Sequence, residues 1–308
     1  MLMLSVAGCE REDADASSVR TVFGGAGLGP GEFSYPRAMA LSPVDGCAFI
    51  VDKTARVQRF SADGEYQTQW SMPESADGKP TGVYVDAKGL VWVADTHYAR
   101  VIVYDRDGHE QYRFGSRGEG PGQFIFPTNV VIDREGVIYV GEYGENSRIS
   151  RFRKVETSKS QKGRTPLVDY LDSFADKKSG DGWVERPQAM AIDQEGILWV
   201  ADACRHRICR YDRRSGKLLS AFGSAGSELN NFNFPYGMAL EPRGTLIVAD
   251  RCNNRLVRYD RSGKPLASWG SQGRATGQLQ QPWSVAVGKD DRVYCLDSWN
   301  NRVQVLNW

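Results

Sequence analysis

The sequence lacks several features that would point to common function classes. It has no apolar run of the roughly 20 residues that a transmembrane helix needs. Its net charge is only +1 at pH 7, from 39 basic and 38 acidic residues. A protein that binds nucleic acid mainly through phosphates carries a strongly basic domain, so this balance disfavours nucleic acid as a partner. With only three histidines, His97, His109 and His206, a site built from several imidazoles is hard to assemble.

Turn residues are abundant instead, with 33 glycines and 13 prolines among 308 residues. Residues 27–36 (GLGPGEFSYP) and 118–127 (GEGPGQFIFP) repeat one frame. The glycines permit tight turns, and we expect the aromatic residues of these loops, Phe33, Phe124 and Phe232, to tuck beneath them. No helix follows the loops, which disfavours a phosphate cradle.

One proline recurs in each of six units, at intervals of 44 to 60 residues: Pro36, Pro80, Pro127, Pro187, Pro235 and Pro282. Each is followed by an alternating segment such as RAMAL, then by second and third strand-like segments such as LVWVAD and ARVIVYD, and in most units by a fourth. Period-two alternation between glycine-rich turns predicts short antiparallel strands. Six units of four strands predict an all-β, six-bladed β-propeller.

The last unit supplies only three strands before the chain ends at Trp308. We expect residues 19–24 (VRTVFG) to join it as the fourth strand, because Phe23-Gly24 matches Phe114-Gly115 and Phe222-Gly223. Such pairing closes the ring and leaves no open edge between the first and last blades.

The segments VADACRHRI, VADRCNNRL and CLDSWNNRV begin at residues 200, 248 and 295. They resemble the NHL repeat, whose frame joins a G-x-F-x-x-P loop, a strand ending in V-x-D and an Asn-His-Arg-like turn. The resemblance covers residues 19–308 and implies a propeller domain over that range, with an insertion in blade three at about 155–165.

Residues 1–18 read as a signal remnant and an acidic tether. MLMLSVAGC resembles a bacterial lipobox, with Ala7 and Gly8 before a lipidatable Cys9. We expect an extracytoplasmic protein whose only membrane contact is this lipid anchor; the alternative is an accidental apolar start with a free thiol. Among the other cysteines, Cys204 and Cys252 occupy matching places in neighbouring repeats, so one disulfide fits, but buried thiols are favoured.

Strand direction sorts the connections onto two faces. Face one carries the fourth-to-first and second-to-third connections, and face two carries the others. Face one has a carboxylate and an arginine in every unit: Asp52 and Arg56, Asp95 and Arg100, Glu142 and Arg148, Asp202 and Arg207, Asp250 and Arg255, Asp297 and Arg302. An acidic ring for cations is one interpretation. We favour a structural role, in which each carboxylate orders its turn and pairs with the arginine.

Face one also collects aromatic, arginine and amide residues, a composition typical of binding hot spots. The candidate ligand-binding residues are Arg37, Thr81, Thr128, Asn129, Gln188, Tyr236, Trp283, Tyr143, Arg251 and Trp299. The alternative is that these aromatic residues only cap the blade ends.

Enzymes with similar propellers provide a test. Peptidylglycine amidating lyase resembles this repeat frame and holds zinc with a histidine directly after the blade proline in three blades. Those positions here are Arg37, Thr81, Thr128, Gln188, Tyr236 and Trp283, and none is histidine. Gluconolactonase-like propellers hold calcium with axial acids, and no acidic residue opens an inner strand here. We therefore expect no metal, no cofactor and no catalytic residue.

The expected insertion continues a basic stretch: residues 151–165 contain six basic residues and one acidic residue. Contact with an anionic surface is one interpretation, and a solvated, mobile insertion is the favoured one. The leading hypothesis for function is a non-catalytic binding module that recognises a protein or glycan through face one. A lyase or hydrolase with an unrecognised site, and an RNA-binding module, are the alternatives.

Overall fold

The computed structural model describes residues 15–76, 78–155 and 168–308. Within them, six four-stranded antiparallel sheets surround a central axis, which confirms the predicted six-bladed propeller. Cys9, the tether before residue 15 and residues 156–165 of the expected insertion lie outside the described residues. No helix in the described part of the chain is long and apolar enough to cross a membrane.

The first strand and blades one to three comprise β1 (Val19–Gly24), β2 (Pro36–Leu41), β3 (Ala48–Asp52), β4 (Arg56–Phe60), β5 (Tyr66–Ser71), β6 (Gly82–Val85), β7 (Val91–Asp95), β8 (Arg100–Tyr104), β9 (Glu110–Phe114), β10 (Phe126–Ile132), β11 (Val137–Tyr143), β12 (Arg148–Lys154) and β13 (Val168–Phe174). Blades four to six follow as β14 (Pro187–Ile192), β15 (Ile197–Asp202), β16 (Arg207–Asp212), β17 (Leu218–Phe222), β18 (Pro235–Leu240), β19 (Leu246–Asp250), β20 (Arg255–Tyr259), β21 (Pro265–Trp269), β22 (Ser271–Gln272), β23 (Gln278–Leu279), β24 (Ser284–Val287), β25 (Val293–Asp297) and β26 (Arg302–Leu306).

Short 3₁₀ turns follow the second strands of blades two, four, five and six, at Thr96–Tyr98, Ala203–Arg205, Arg251–Asn253 and Ser298–Asn300, and another spans Gly180–Gly182.

Blade six is completed by the start of the chain. Its strand order is β1-β26-β25-β24, with Phe23 opposite Val303 and Gly24 opposite Arg302. The Phe23 ring lies 5.0 Å from the Phe60 ring of blade one, so β1 also packs against the neighbouring blade. The predicted closure by residues 19–24 is therefore confirmed.

The described chain starts inside the segment expected to be the tether. Residues 15–18 form a helical turn, and Asp15 is buried. The Asp15 carboxylate accepts a hydrogen bond from the Gly270 backbone N–H at 3.0 Å, and the Trp269 indole N–H donates to Ser18 Oγ at 2.8 Å. Residues 15–18, expected to belong to the tether, thus contact the propeller.

The six first strands of the blades are innermost, and each contacts the next around the axis. Four second strands, β3, β7, β19 and β25, are buried along their whole length, and β11 and β15 are buried except at one end. Both faces of these strands pack against neighbouring blades. This explains their continuous apolar sequences. The core lies between the blades: one cluster joins Phe49 and Val57 of blade one to Val83 and Ile102 of blade two.

The repeated glycine-rich loop folds onto itself before blades one, three, five and six. In the first loop, Phe33 N–H donates to Gly25 O at 2.6 Å and Gly27 N–H donates to Phe33 O at 3.0 Å. Phe33, Phe124 and Phe232 are all buried, with Leu279 at the matching place before blade six. Each of these four loops therefore buries one apolar side chain next to the first strand of the blade that follows.

Candidate ligand-binding face

A cavity of about 240 Å³ lies on the propeller axis between the inner strands. At face one its lining is polar and aromatic, from Arg37, Thr81, Asn129, Gln188, Tyr236 and Trp283. Towards face two the lining becomes aliphatic, with Leu41, Val85, Leu240 and Val287 among its residues. The cavity therefore has a polar mouth on face one above an apolar floor.

A local irregularity places the residue after the blade proline at this mouth. In β2 the register shifts between Pro36 and Ala38, which leaves Arg37 as an extra residue. The same shift occurs in β10, β14 and β18, at Thr128, Gln188 and Tyr236. Such bulges re-aim side chains. Proline lacks the backbone donor that a regular ladder needs, which favours the irregularity at this point.

Nine of the ten candidate binding residues lie at or around the mouth. Six line the cavity, as described above. Tyr143, Arg251 and Trp299 surround it: Tyr143 stacks on Phe126 at 5.0 Å, and Trp299 donates its indole N–H to Tyr35 Oη at 2.8 Å.

Thr128 is the exception, and the prediction that it belongs to the ligand-binding residues is wrong. Its side chain is fully buried, and its Oγ1 lies within hydrogen-bonding distance of Gly141 O at 3.0 Å and of Pro187 O. The hydroxyl therefore connects blade three to blade four. In β2, β14 and β18 the register shift places the post-proline side chain at the cavity mouth, whereas in β10 it directs the Thr128 hydroxyl to backbone carbonyl groups.

Tyr236 and Trp283 are walls of the cavity and not exposed anchors. Each is only 7% exposed, and their rings meet edge to face at 4.8 Å. Trp283 also packs edge-on against Tyr35 at 5.6 Å. They belong to the core cluster between blades five, six and one, so they stabilise the fold as well as shaping the mouth.

Three arginines interleave with these rings, and we call Arg37, Arg186 and Arg251 the mouth arginines. Arg251 lies over both Tyr236 and Trp283, with its guanidinium carbon 4.9 and 5.2 Å from the ring centres. Arg37 lies 5.3 Å from Trp283, and Arg186 lies 5.1 Å from Tyr236. Two adjacent rings thus bridge three cations through cation–π contacts.

The sequence analysis missed Arg186 and Tyr35. Both precede a blade proline, a position that the alignment treated as part of the turn. Arg186 also lies 4.5 Å over the Tyr143 ring, and its Nε donates to Gln188 Oε1 at 2.9 Å. The residue before each blade proline is therefore the sequence position at which both could have been found.

The electrostatic environment of the mouth is cationic. No acidic residue is among those that line the cavity. Burial lowers the pKa of Arg37, and nearby Arg186 lowers it further, although neighbouring tyrosines including Tyr35 oppose this. Burial likewise lowers the pKa of His97, with Arg37 contributing.

The six carboxylate–arginine pairs are formed in every blade, with N–O distances of 2.6–3.3 Å. The carboxylates are buried, and most also accept a backbone N–H from the loop before the proline, as Asp52 does from Ser34 at 3.2 Å. Five of the arginines donate to carbonyl groups of the loops before the prolines, as Arg56 does to Glu32 O at 3.0 Å, whereas Arg100 pairs with the Glu74 carboxylate. These contacts join the second-to-third connection of a blade to the fourth-to-first connection that precedes it, away from the axis.

Asp95 differs from the other five carboxylates. Its Oδ2 accepts from Arg100 Nε at 2.8 Å, but its buried Oδ1 has no hydrogen-bond partner among the described residues. No backbone N–H of the described residues before blade two donates to Asp95, whereas those of Glu185 and Arg186 donate to Asp202 before blade four. Burial consequently raises the pKa of Asp95 to about 6, despite the opposing effect of Arg100.

The three histidines lie in different environments. His109 is exposed on face two beside Asp105, and His97 packs its ring edge against Phe126 at 5.8 Å on face one. His206 is half-buried and accepts the Phe234 backbone N–H through Nδ1 at 3.2 Å, linking blades four and five. The described residues contain no group of three or more His, Cys, Asp or Glu side chains placed to hold a metal ion.

Five cysteines lie in the described ranges, and all are free thiols. Cys47, Cys209 and Cys295 are buried, whereas Cys204 and Cys252 are partly exposed. The disulfide that the repeat alignment allowed between Cys204 and Cys252 is therefore not formed.

Comparison with known proteins agrees with this architecture. A family model of the NHL repeat matches residues 185–211, 232–259 and 279–306. Protein brain tumor of Drosophila melanogaster is 24% identical over 156 residues, covering 50% of this chain and 13% of that protein. NHL repeat-containing protein 3 of Mus musculus is 22% identical over 209 residues, covering 62% of this chain and 55% of that protein. The match thus spans little more than half of one relative and a small part of the other.

Solved structures with a similar fold include enzymes. A streptogramin B lyase superposes with a TM-score of 0.60 at 14% identity, covering 93% of this chain and 96% of its own. A gluconolactonase from Xanthomonas campestris gives a TM-score of 0.63 at 14% identity, covering 89% and 87%. At such identities the likeness shows the fold alone. The three family-model matches identify blades four, five and six as NHL repeats, within a chain that folds as a six-bladed β-propeller.

Proposed function

We propose that this chain is a non-catalytic binding propeller that recognises a protein or glycan partner through face one. The observation that carries the proposal is the mouth of the axial cavity, where three arginines and several aromatic rings surround a polar opening. Arginine, tyrosine and tryptophan dominate binding hot spots, and concave sites with a few convergent polar groups are the usual ligand sites.

Trp299 offers the sharpest test of this proposal, because it is 49% exposed beside the mouth. Leu266 is a matched control, 52% exposed on the outer strand β21. The purified 308-residue chain, its Trp299→Ala variant and its Leu266→Ala variant would each be used to capture partners from cell extract and from a glycan array. We expect Trp299→Ala to lose partners that Leu266→Ala retains. Equal recovery with both variants would move the working surface to face two or the rim.

Two further measurements separate this proposal from its alternatives. One equivalent of zinc or calcium, found by elemental mass spectrometry after gentle dialysis, would favour an enzyme. Capture of RNA with an affinity that falls steeply as salt rises would favour an RNA-binding module. A protein or glycan binder requires neither result.

We also propose that the protein is anchored outside the cytoplasm by a lipid on Cys9. The support is the sequence MLMLSVAGC alone. Metabolic labelling with a radioactive or clickable fatty acid tests it: label should appear on the native chain and be absent from Cys9→Ser. Equal labelling of both would reject the anchor.

A further inference from the structure

Among the described residues, the mouth arginines lack the carboxylate counter-ions that most other arginines packed between or within the blades have. Neighbouring blades on face two pair their charges, as in Arg106 with Asp45 at 2.9 Å, Arg213 with Asp133 at 2.9 Å and Arg292 with Asp63 at 2.8 Å. The carboxylate pairs of face one do the same within each blade. In the described part of the chain, no salt bridge includes Arg37, Arg186 or Arg251.

These three cations are held close together without compensation by neighbouring acids. Arg37 and Arg251 share the Trp283 ring, and Arg186 and Arg251 share the Tyr236 ring, while those two rings are 4.8 Å apart. Aromatic faces attract cations but carry no net charge. Like charges in a half-buried site repel one another, and an anion bound between them would relieve that repulsion.

Unused hydrogen-bond donors surround the same opening. Four buried N–H groups have no hydrogen-bond partner among the described residues: Gln188 Nε2, Trp283 Nε1, Arg37 Nε and Arg251 Nε. Gln188 and Trp283 are only 2% and 7% exposed, and both line the cavity. Buried donors are nearly always hydrogen-bonded in native proteins, so a group of four unused donors at one opening indicates a ligand that accepts hydrogen bonds.

We propose that the mouth of the axial cavity is an anion-binding site that takes a carboxylate or phosphate group between Arg37, Arg186 and Arg251. This inference rests on the proposed function and names the chemistry that the partner presents to face one. Guanidinium groups bind both kinds of oxyanion through paired N–H donors. The cavity of about 240 Å³ has room for such a group and a short stem, since it equals the volume of roughly eight liquid water molecules.

The test is isothermal titration of the 308-residue chain with sodium acetate and with sodium phosphate, at constant ionic strength balanced with sodium chloride. We expect saturable binding of at least one anion, weakened at least tenfold in the Arg37→Gln/Arg251→Gln variant. The control variant Arg134→Gln/Arg243→Gln removes the same charge from exposed turns of face two. It should bind as the native chain does.

Two additional variants guard against a trivial loss of folding. Arg251→Lys keeps the charge but lacks the planar fork, so it should bind more weakly than the native chain while melting at a similar temperature. Trp299→Ala should retain anion binding, because the Trp299 indole N–H already donates to Tyr35 Oη at 2.8 Å and is not one of the unused donors at the opening. Tighter binding of phosphate would assign a phosphorylated ligand, and tighter binding of acetate would assign a carboxylate.

Absence of saturable binding for both anions, or equal affinity in the Arg37→Gln/Arg251→Gln variant, would overturn the inference. Its failure can be told apart from failure of the proposed function. If neither anion binds saturably while Trp299→Ala abolishes partner capture, the anion site is rejected and the binding face stands. If the anions bind but Trp299→Ala captures partners normally, the binding face is rejected and the anion site stands.

Discussion

Asn301 Oδ1 accepts a hydrogen bond from the Tyr35 backbone N–H at 2.7 Å, across a separation of 266 residues. The bond crosses the seam between blade six and blade one. Asn254 makes the same contact with the Gln281 backbone N–H at 2.9 Å, within the continuous chain. Asn301 has a φ of 53°, a left-handed conformation that asparagine tolerates better than most residues. Asn301 therefore ends a 3₁₀ turn through its backbone and holds the next blade through its side chain.

Asn301→Ala should reduce the free energy of unfolding by about 1–2 kcal/mol, because the Tyr35 N–H loses its acceptor at a partly buried site. Urea unfolding followed by circular dichroism measures the loss. Asn307→Ala is the control, since Asn307 is exposed and donates its backbone N–H, not its side chain, to Ser18 O at 3.0 Å. An unchanged unfolding midpoint for Asn301→Ala would show that the seam does not depend on this contact.

Truncation at the start of the chain should destabilise the ring in two steps. Removal of residues 1–18 breaks the contacts of Asp15 and Ser18 with Trp269 and Gly270, and we expect the melting temperature to fall by a few degrees. Removal of residues 1–24 also deletes β1 and exposes the edge of β26, and we expect a fall of more than about 10 °C. Thermal unfolding of the two truncated chains tests the topology. Equal melting temperatures would contradict closure by β1.

Gly82→Ala should destabilise the packing of the inner strands. A Cβ at this position would overlap the Thr128 carbonyl oxygen of the adjacent blade, and backbone cannot move aside as a side chain can. We expect a loss of about 1–3 kcal/mol, the usual cost of overpacking a tight core. At Gly25 an added Cβ meets nothing within 4 Å, so Gly25→Ala should stay within about 0.5 kcal/mol of the native chain. Chemical unfolding measures the stability of both variants. Equal stability would mean that the inner strands of blades two and three can move apart enough to accept the added methyl group.

Most of the architecture could be predicted from sequence because its signals are local and repeated. Period-two alternation and turn residues mark each strand, and the unpaired third strand at the chain end implies β1, whose bounds of Val19–Gly24 are those expected. The seam itself involves contacts between distant residues, yet repetition made it predictable, since each blade shows what the incomplete one lacks.

The binding face was harder to predict, because exposure there depends on how the blades meet. Tyr236 and Trp283 were expected at the surface, but their rings pack against each other where blades five and six meet near the axis. Thr128 follows a blade proline as Arg37 does, yet its hydroxyl finds a carbonyl of the next blade. Arg186 is held at the mouth by cation–π contacts with rings of two other blades. Residue type and spacing do not reveal these contacts.

Asp95 should give the protein a pH-dependent stability between about pH 4 and pH 6. Its pKa is raised from 3.8 to about 6 by burial. Within that window the folded state binds more protons than the unfolded state, so the free energy of unfolding falls as pH rises, by about 1–3 kcal/mol from this group. Above pH 6 the cost of the buried charge is fully present.

Asp95→Asn removes this titration, so its stability relative to the native chain should improve as pH rises from 4 to 7. Urea unfolding at several pH values gives the two slopes. Asp291→Asn, which removes one negative charge from an exposed turn of face two, is the control. If Asp95→Asn and the native chain show parallel pH profiles, Asp95 is already ionised at pH 4 in the folded state, and the Arg100 contact outweighs the missing backbone donors of blade two.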